Sequence, residues 1–144
     1  MIPAAKEHPS KGRRLTTIPE SHADLLGKKG FAHVATLQPD GTPQLSVVWF
    51  EWDGEHVLFS MDRKRQKMRN MGRDPRVAVL ITDPESPYRY LELRGRIERV
   101  DPDPQAELAD VLAHKYLGKP FDIPRPDPGR MRVTFRPEHA RVYG

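Results

Sequence analysis

Apolar and polar positions alternate along most of this chain, and that period of two marks strands. Phe31 to Leu37 alternates and is rich in β-formers, and Pro43 to Trp52 reads as its return strand. The turn Gln38–Thr42 between them carries Asp40-Gly41, and a second pair, Asp53-Gly54, leads into Glu55–Ser60. Asp-Gly supplies the positive φ that a tight hairpin needs, so these segments predict an antiparallel meander. Arg76–Thr82 reads as a compact buried strand. Tyr88–Val100 is a long one, with Leu91, Leu93 and Ile97 on one face and Glu92, Arg94, Arg96 and Glu98 on the other. Gly95 interrupts it, which predicts a bulge or a close backbone approach. A last strand, Arg132–Phe135, and a short extended end fill Met131–Tyr143.

The period changes in three places. Pro19–Leu26 has the proline and early acids of a helix start. Between Asp62 and Arg73, Met68 and Met71 share a helical face, and Pro75 stops that helix at or before Asp74. Pro104–Leu117 reads as an amphipathic helix presenting Leu108, Val111, Leu112 and Tyr116. Lys119–Gly129 holds four prolines and predicts a stiff extended loop. The fold class is therefore mainly β with inserted α-helices, six antiparallel strands closing into a barrel that removes exposed edges. Residues 20–144 form one domain, and 1–19, which lack periodicity, are expected to be a flexible tail.

Composition narrows the function. The chain has 144 residues, enough for a single core. Mean hydropathy is −0.70, and no apolar run approaches the roughly 18 residues of a membrane span. Cysteine is absent, which removes disulfides, cysteine-ligated zinc and thiol catalysis and fits a reducing cytoplasm. Arg13-Arg14 lacks the apolar stretch a twin-arginine signal requires. Net charge is +4, a modest excess that suits anionic small molecules at least as well as nucleic acid.

The basic excess is concentrated. From Arg63 to Arg76 there are seven basic residues against one acid, Asp74. They fall where a strand ends and a helix begins, and a helix N-terminus offers free N–H groups and partial positive charge. Arg65 would add a forked donor and Lys67 a point charge for one phosphate. A solvated basic face, or one meeting nucleic-acid phosphates, stands beside that reading. Gln44 and Ser46 share one strand face and have the groups to meet the edge of a planar heterocycle, or simply line an exposed face. Tyr88, Tyr90, Trp49 and Trp52 suit either an aromatic pocket or packing. The histidines never come at metal-site spacing, and no nucleophile elbow, dinucleotide fingerprint or Walker loop occurs.

Three segments, FAHVATLQPDGTPQLSVVWFEWDG, FSMDRKRQKMRNMGRDPRVAVLI and YRYLELRGRIE, together resemble the pyridoxamine 5′-phosphate oxidase-like split-barrel superfamily. The resemblance runs from about Glu20 to Gly144 and is strongest to its F-420-dependent, deazaflavin branch of actinobacteria. It implies an FMN-binding type of split barrel with the cofactor between two subunits, hence a homodimer. By position, Gln44, Ser46 and Val48 would lie along the ring. Ser60, Met61, Arg65 and Lys67 would hold the phosphate, with Asn70 nearby and Thr82 a further contact. Tyr88, Tyr90 and the proline-rich loop would shape the substrate pocket. Arg65-Gln66-Lys67 and the ending Val142-Tyr143-Gly144 depart from the vitamin B6 oxidases, while the Arg-x-Lys spacing and the strand Leu91-Glu92-Leu93-Arg94-Gly95-Arg96 resemble the group that uses coenzyme F-420 over FMN, the alternative. Arg63, Lys64 and Arg69 would suit that cofactor's polyglutamate tail. The implied activity is hydride transfer to an electron-poor small-molecule acceptor, with Tyr88 the candidate proton donor. The rival readings are an FMN oxidoreductase of the same fold and a non-catalytic carrier. Neither nucleic acid nor membrane is an expected partner.

Overall fold

The computed structural model describes residues 16–144, so the tail expected over 1–19 lies, from 1 to 15, outside the described residues. Seven strands form one antiparallel sheet: β1 (Ala32–Leu37), β2 (Pro43–Val48), β3 (Glu51–Trp52), β4 (Val57–Asp62), β5 (Arg76–Asp83), β6 (Ser86–Pro102) and β7 (Arg130–Tyr143). Their order is β2-β1-β5-β6-β7-β4-β3. The helices are a 3-10 helix at Glu20–Leu26, α1 (Gln66–Arg73) and α2 (Glu107–Leu117).

The expected six strands become seven because the return strand Pro43–Trp52 breaks at Trp49-Phe50. That break makes the barrel. A flat sheet of seven strands would span about 29 Å at ~4.8 Å per strand. Val48 and Glu51 sit on opposite edge strands yet are three residues apart, a reach of at most about 11 Å. The sheet must curl until its edges meet. The simple meander is thus corrected: β1–β2 and β3–β4 are hairpins, but β2 and β3 are not neighbours.

Leaving the ladder strands the backbone groups of Phe50, and α2 supplies their partners. Lys115 Nζ donates to the Phe50 carbonyl at 2.8 Å. The Phe50 N–H donates to Tyr116 Oη at 3.3 Å, and that hydroxyl donates to the Gly30 carbonyl at 2.6 Å. Burial pushes the Tyr116 hydroxyl up to about 12 and holds Lys115 below the ordinary lysine range. Asp103 accepts the Glu107 and Leu108 N–H groups and so fixes where α2 begins. Leu108 and Leu112 pack on Leu58 of β4, each stabilising by roughly 1.5–3 kcal/mol. Val111, expected on that face, points outward, and Ala109 and Ala113 are buried instead.

Both hairpins turn on glycines of positive φ, Gly41 at 87° and Gly54 at 98°. Gly95 is the close approach the sequence suggested: a Cβ there would lie 1.9 Å from the Arg136 carbonyl oxygen. The β6–β7 register shifts at that point. The core fills the barrel with Phe50, Phe59, Phe135, Val34 and Leu93, and Met68 and Met71 of α1 close one side.

Candidate cofactor site

A cleft of about 320 Å³ lies where β4 runs into α1. Ser60, Met61 and Asp62 end β4, and Arg65 and Lys67 begin α1. Asp62 builds the junction: its carboxylate accepts the Lys64 N–H at 2.8 Å and its carbonyl accepts the Arg65 N–H at 3.1 Å. Arg65 is the N-cap of α1, which has no side-chain cap and no acid in its first turn. The helix start is therefore uncapped by any side chain and lies beside two cations, an arrangement that favours an anion.

The electrostatics agree. Among the described residues, no carboxylate pairs with Arg63, Lys64, Arg65 or Lys67. Burial, with repulsion from Arg65 second, holds the Lys67 ammonium below the ordinary lysine range. Ser60 Oγ is buried in the same cleft without a hydrogen-bond partner among the described residues. A buried hydroxyl with no partner is costly, so a ligand acceptor in the cleft would relieve it. The donor set, a serine hydroxyl, a guanidinium and an ammonium, is the chemistry a phosphate needs, and the residues present fit a phosphorylated cofactor.

The far side of the cleft is apolar. Val48 ends β2 and Trp49 follows it at the break, Ala109 and Leu112 come from α2, and Phe31 and Phe121 from loops. Trp49, Tyr116 and Phe31 stack in a row, with centroid spacings of 5.2 and 5.7 Å. A cationic end and an aromatic end in one cleft suit a ligand with a phosphorylated arm and a flat ring.

Of the candidates named from sequence, Val48, Ser60, Met61, Arg65 and Lys67 line this cleft together. Gln44 and Ser46 share the half-buried face of β2 with Val48, and Ser46 Oγ is buried without a partner. Asn70 lies fully buried, its amide spoken for. It donates to Thr36 Oγ1 at 3.0 Å, Thr36 donates to Gln44 Oε1 at 3.1 Å, and Gln66 donates to Asn70 Oδ1 at 2.9 Å. Thr82, at the end of β5 opposite Tyr90, and Tyr88, 79% exposed on β6, stand outside this cleft. Tyr90 stacks on Tyr143 at 5.5 Å. The Arg69 guanidinium is engaged by the Lys64 carbonyl and Gln66 Oε1, whereas Arg63 and Lys64 are exposed and have no ion-pair partner among the described residues.

Sequence reasoning did not single out Phe31, Phe121 or Arg130. Phe121 had a faint signal as the one aromatic in the proline-rich loop. Arg130, paired with Asp127 and 5.1 Å over the Phe121 ring, had none.

Residues 18–144 match the family model described as Pyridoxamine 5′-phosphate oxidase. A solved F-420 reductase is 39% identical, with a TM-score of 0.78, over 86% of this chain and 98% of that one. A conserved hypothetical protein of Mycobacterium tuberculosis is 24% identical with a TM-score of 0.71, over 92% and 89% of the two chains. General stress protein 26 of Bacillus anthracis shares the fold at 18% identity, with a TM-score of 0.65 over 86% and 92%. The split barrel and the match along nearly its whole described length agree: the chain belongs to the pyridoxamine 5′-phosphate oxidase family.

Proposed function

We propose that this protein is a coenzyme F-420-dependent reductase that passes a hydride from the reduced deazaflavin to an electron-poor small organic acceptor. The observation that carries the reading is the set of unpaired donors in one cleft, Ser60 Oγ, Arg65 and Lys67. The F-420 reductase similar over most of both chains supports the deazaflavin in particular. The bound cofactor supplies the hydride at its central ring carbon. The protein binds the phosphate at the β4–α1 junction, lays the ring along Val48 and Trp49, and keeps water from the aromatic end. Orientation of this kind contributes up to about 7–11 kcal/mol in favourable cases. Tyr88 lies outside its own cleft, so it serves as proton donor only in a neighbouring copy's; water serves otherwise.

A homodimer belongs to this reading. Leu45 and Val47 project from the outer face of β2, 71% and 59% exposed. They pair with Ala35 and His33 of β1, which pair with Ala78 and Leu80 of β5. Opposed residues share a face, so the strip is continuous and mostly apolar, as a self-complementary interface requires. We place the activity in the cytoplasm; no helix among the described residues is long and apolar enough to cross a membrane.

FMN is the second reading, because the same donor set suits its phosphate. Absorbance spectra of the purified protein titrated with each cofactor separate the two. F-420 is expected to bind at micromolar concentration and, when reduced, to be oxidised by quinones, enones or nitro compounds. Binding without oxidation would make the protein a carrier. No binding of either cofactor would end the reading.

A further inference from the structure

One ion pair near the cleft does more than join two elements. Arg125, in the proline-rich loop, makes two bonds of 2.6 Å to the Asp110 carboxylate of α2. The same guanidinium donates to the Gln105 carbonyl at 2.7 Å and the Phe121 carbonyl at 2.8 Å. Asp110 Oδ1 also accepts the Phe121 N–H at 2.9 Å. The backbone of Phe121 is thus held on both sides, by Asp110 at its N–H and by Arg125 at its carbonyl. Neither charged residue lines the cleft, whereas Phe121 does, beside Ala109 and Leu112 of the same helix.

The pair is half exposed, with side-chain accessibilities of 26% and 30%, and such a pair adds little to global stability. The loop has no regular secondary structure to fix a side chain. What the fork provides is the position of one ring, which is where a planar, bidentate guanidinium surpasses a lysine. Arg130 covers the other side of that ring.

We propose that the Asp110–Arg125 pair is a positioning lock that sets Phe121 as the wall for the flat ring of the acceptor, making the 118–129 loop a selectivity element for planar, apolar acceptors. This rests on the reductase reading. It assigns the phosphate end and the Val48–Trp49 wall to the cofactor, and Phe121, beside Ala109 and Leu112 of α2, to the acceptor, and it makes Arg125 and Asp110 positioning residues.

The test uses the full-length protein with oxidised F-420 bound and menadione as a flat quinone probe, its affinity read from quenching of the cofactor's fluorescence. Arg125→Ala is expected to weaken menadione at least tenfold while F-420 affinity stays within twofold. Arg125→Lys should fail to restore it, because the fork is lost. Phe121→Ala should match the loss, and combining it with Arg125→Ala should add nothing, the mark of residues acting as one unit. Wild-type menadione affinity in Arg125→Ala overturns the lock, as do losses that add, or an equal loss of F-420 affinity. Wild-type protein that binds F-420 but not menadione also overturns it. Wild-type protein that binds no F-420 overturns the reductase reading and the lock with it.

Discussion

Two charged regions of this molecule use their charges in opposite ways. At the β4–α1 junction, Arg63, Lys64, Arg65 and Lys67 have no carboxylate partner among the described residues. At the corner joining the 3-10 helix to the β5–β6 turn, Arg89 meets Asp24 at 2.7 Å and Asp83 at 3.0 Å. Lys28 meets the same two acids at 3.5 and 3.4 Å. The second region spends its charges on holding the chain: Arg89 also donates to the Ser21 carbonyl, and His22 hydrogen-bonds the carbonyl of Tyr143. The first leaves its charges unspent. Paired charges here serve the fold, and the unpaired ones are those that the proposed function gives to a ligand.

Substitution separates the two regions most sharply. Replacing Arg65 and Lys67 by alanine should weaken F-420 more than a hundredfold, since each charged hydrogen bond contributes about 1.5–3 kcal/mol. The melting temperature should hold or rise, because like charges are removed. Fluorescence titration beside thermal unfolding gives both numbers. Arg89→Ala should invert the result, lowering the melting temperature by several degrees, because it leaves the nearly buried Asp83 short of a partner, with F-420 affinity unchanged. Parallel losses of affinity and stability in either variant would blur the distinction.

A neutral pairing makes a useful third case. Tyr116→Phe removes the bonds to Phe50 and Gly30 at the barrel's closure and should cost about 1–3 kcal/mol in denaturant unfolding. Ligand affinity should change little.

The smallest expected effects are in pH. The Arg89 hydrogen bond lowers the Asp24 carboxyl from 3.8 to about 2. A depressed carboxylate contributes stability above its unfolded pKa and loses it as pH falls through the folded one. Part of the acid loss should therefore fall between pH 3.8 and about 2, and Asp24→Asn should flatten that limb of the melting curve. Lys67 bears on the other limb. Its lowered pKa means F-420 affinity should decline with rising pH before an ordinary lysine would discharge. The decline should begin at the free protein's lowered Lys67 pKa and level off at the higher value that a bound phosphate gives the ammonium.

What was legible in the sequence was local. Alternation gave the strands, Asp-Gly the hairpins, and the run from Arg63 to Arg76 the cationic junction. Gly95 announced its own close approach. The break at Trp49-Phe50 was hidden because the residues on either side remain good strand formers. Its partners, Lys115 and Tyr116, come more than sixty residues later. Val111 obeyed the helical period but is exposed, since α2 packs on β4 through Leu108 and Leu112. The aromatic end of the cleft was largely illegible for the same reason: Phe31, Phe121 and Arg130 converge only once the barrel has closed. Local pattern therefore reached the cationic end of the cleft, and topology assembled the aromatic end.

The most direct measurement compares F-420 with the same deazaflavin chromophore lacking its phosphate arm, titrated against the wild-type protein under identical salt. The cationic junction expects the phosphorylated cofactor to bind at least about a hundredfold tighter, a gap that closes in the Arg65, Lys67 double alanine variant. Equal affinity of the two chromophores for the wild-type protein would contradict it.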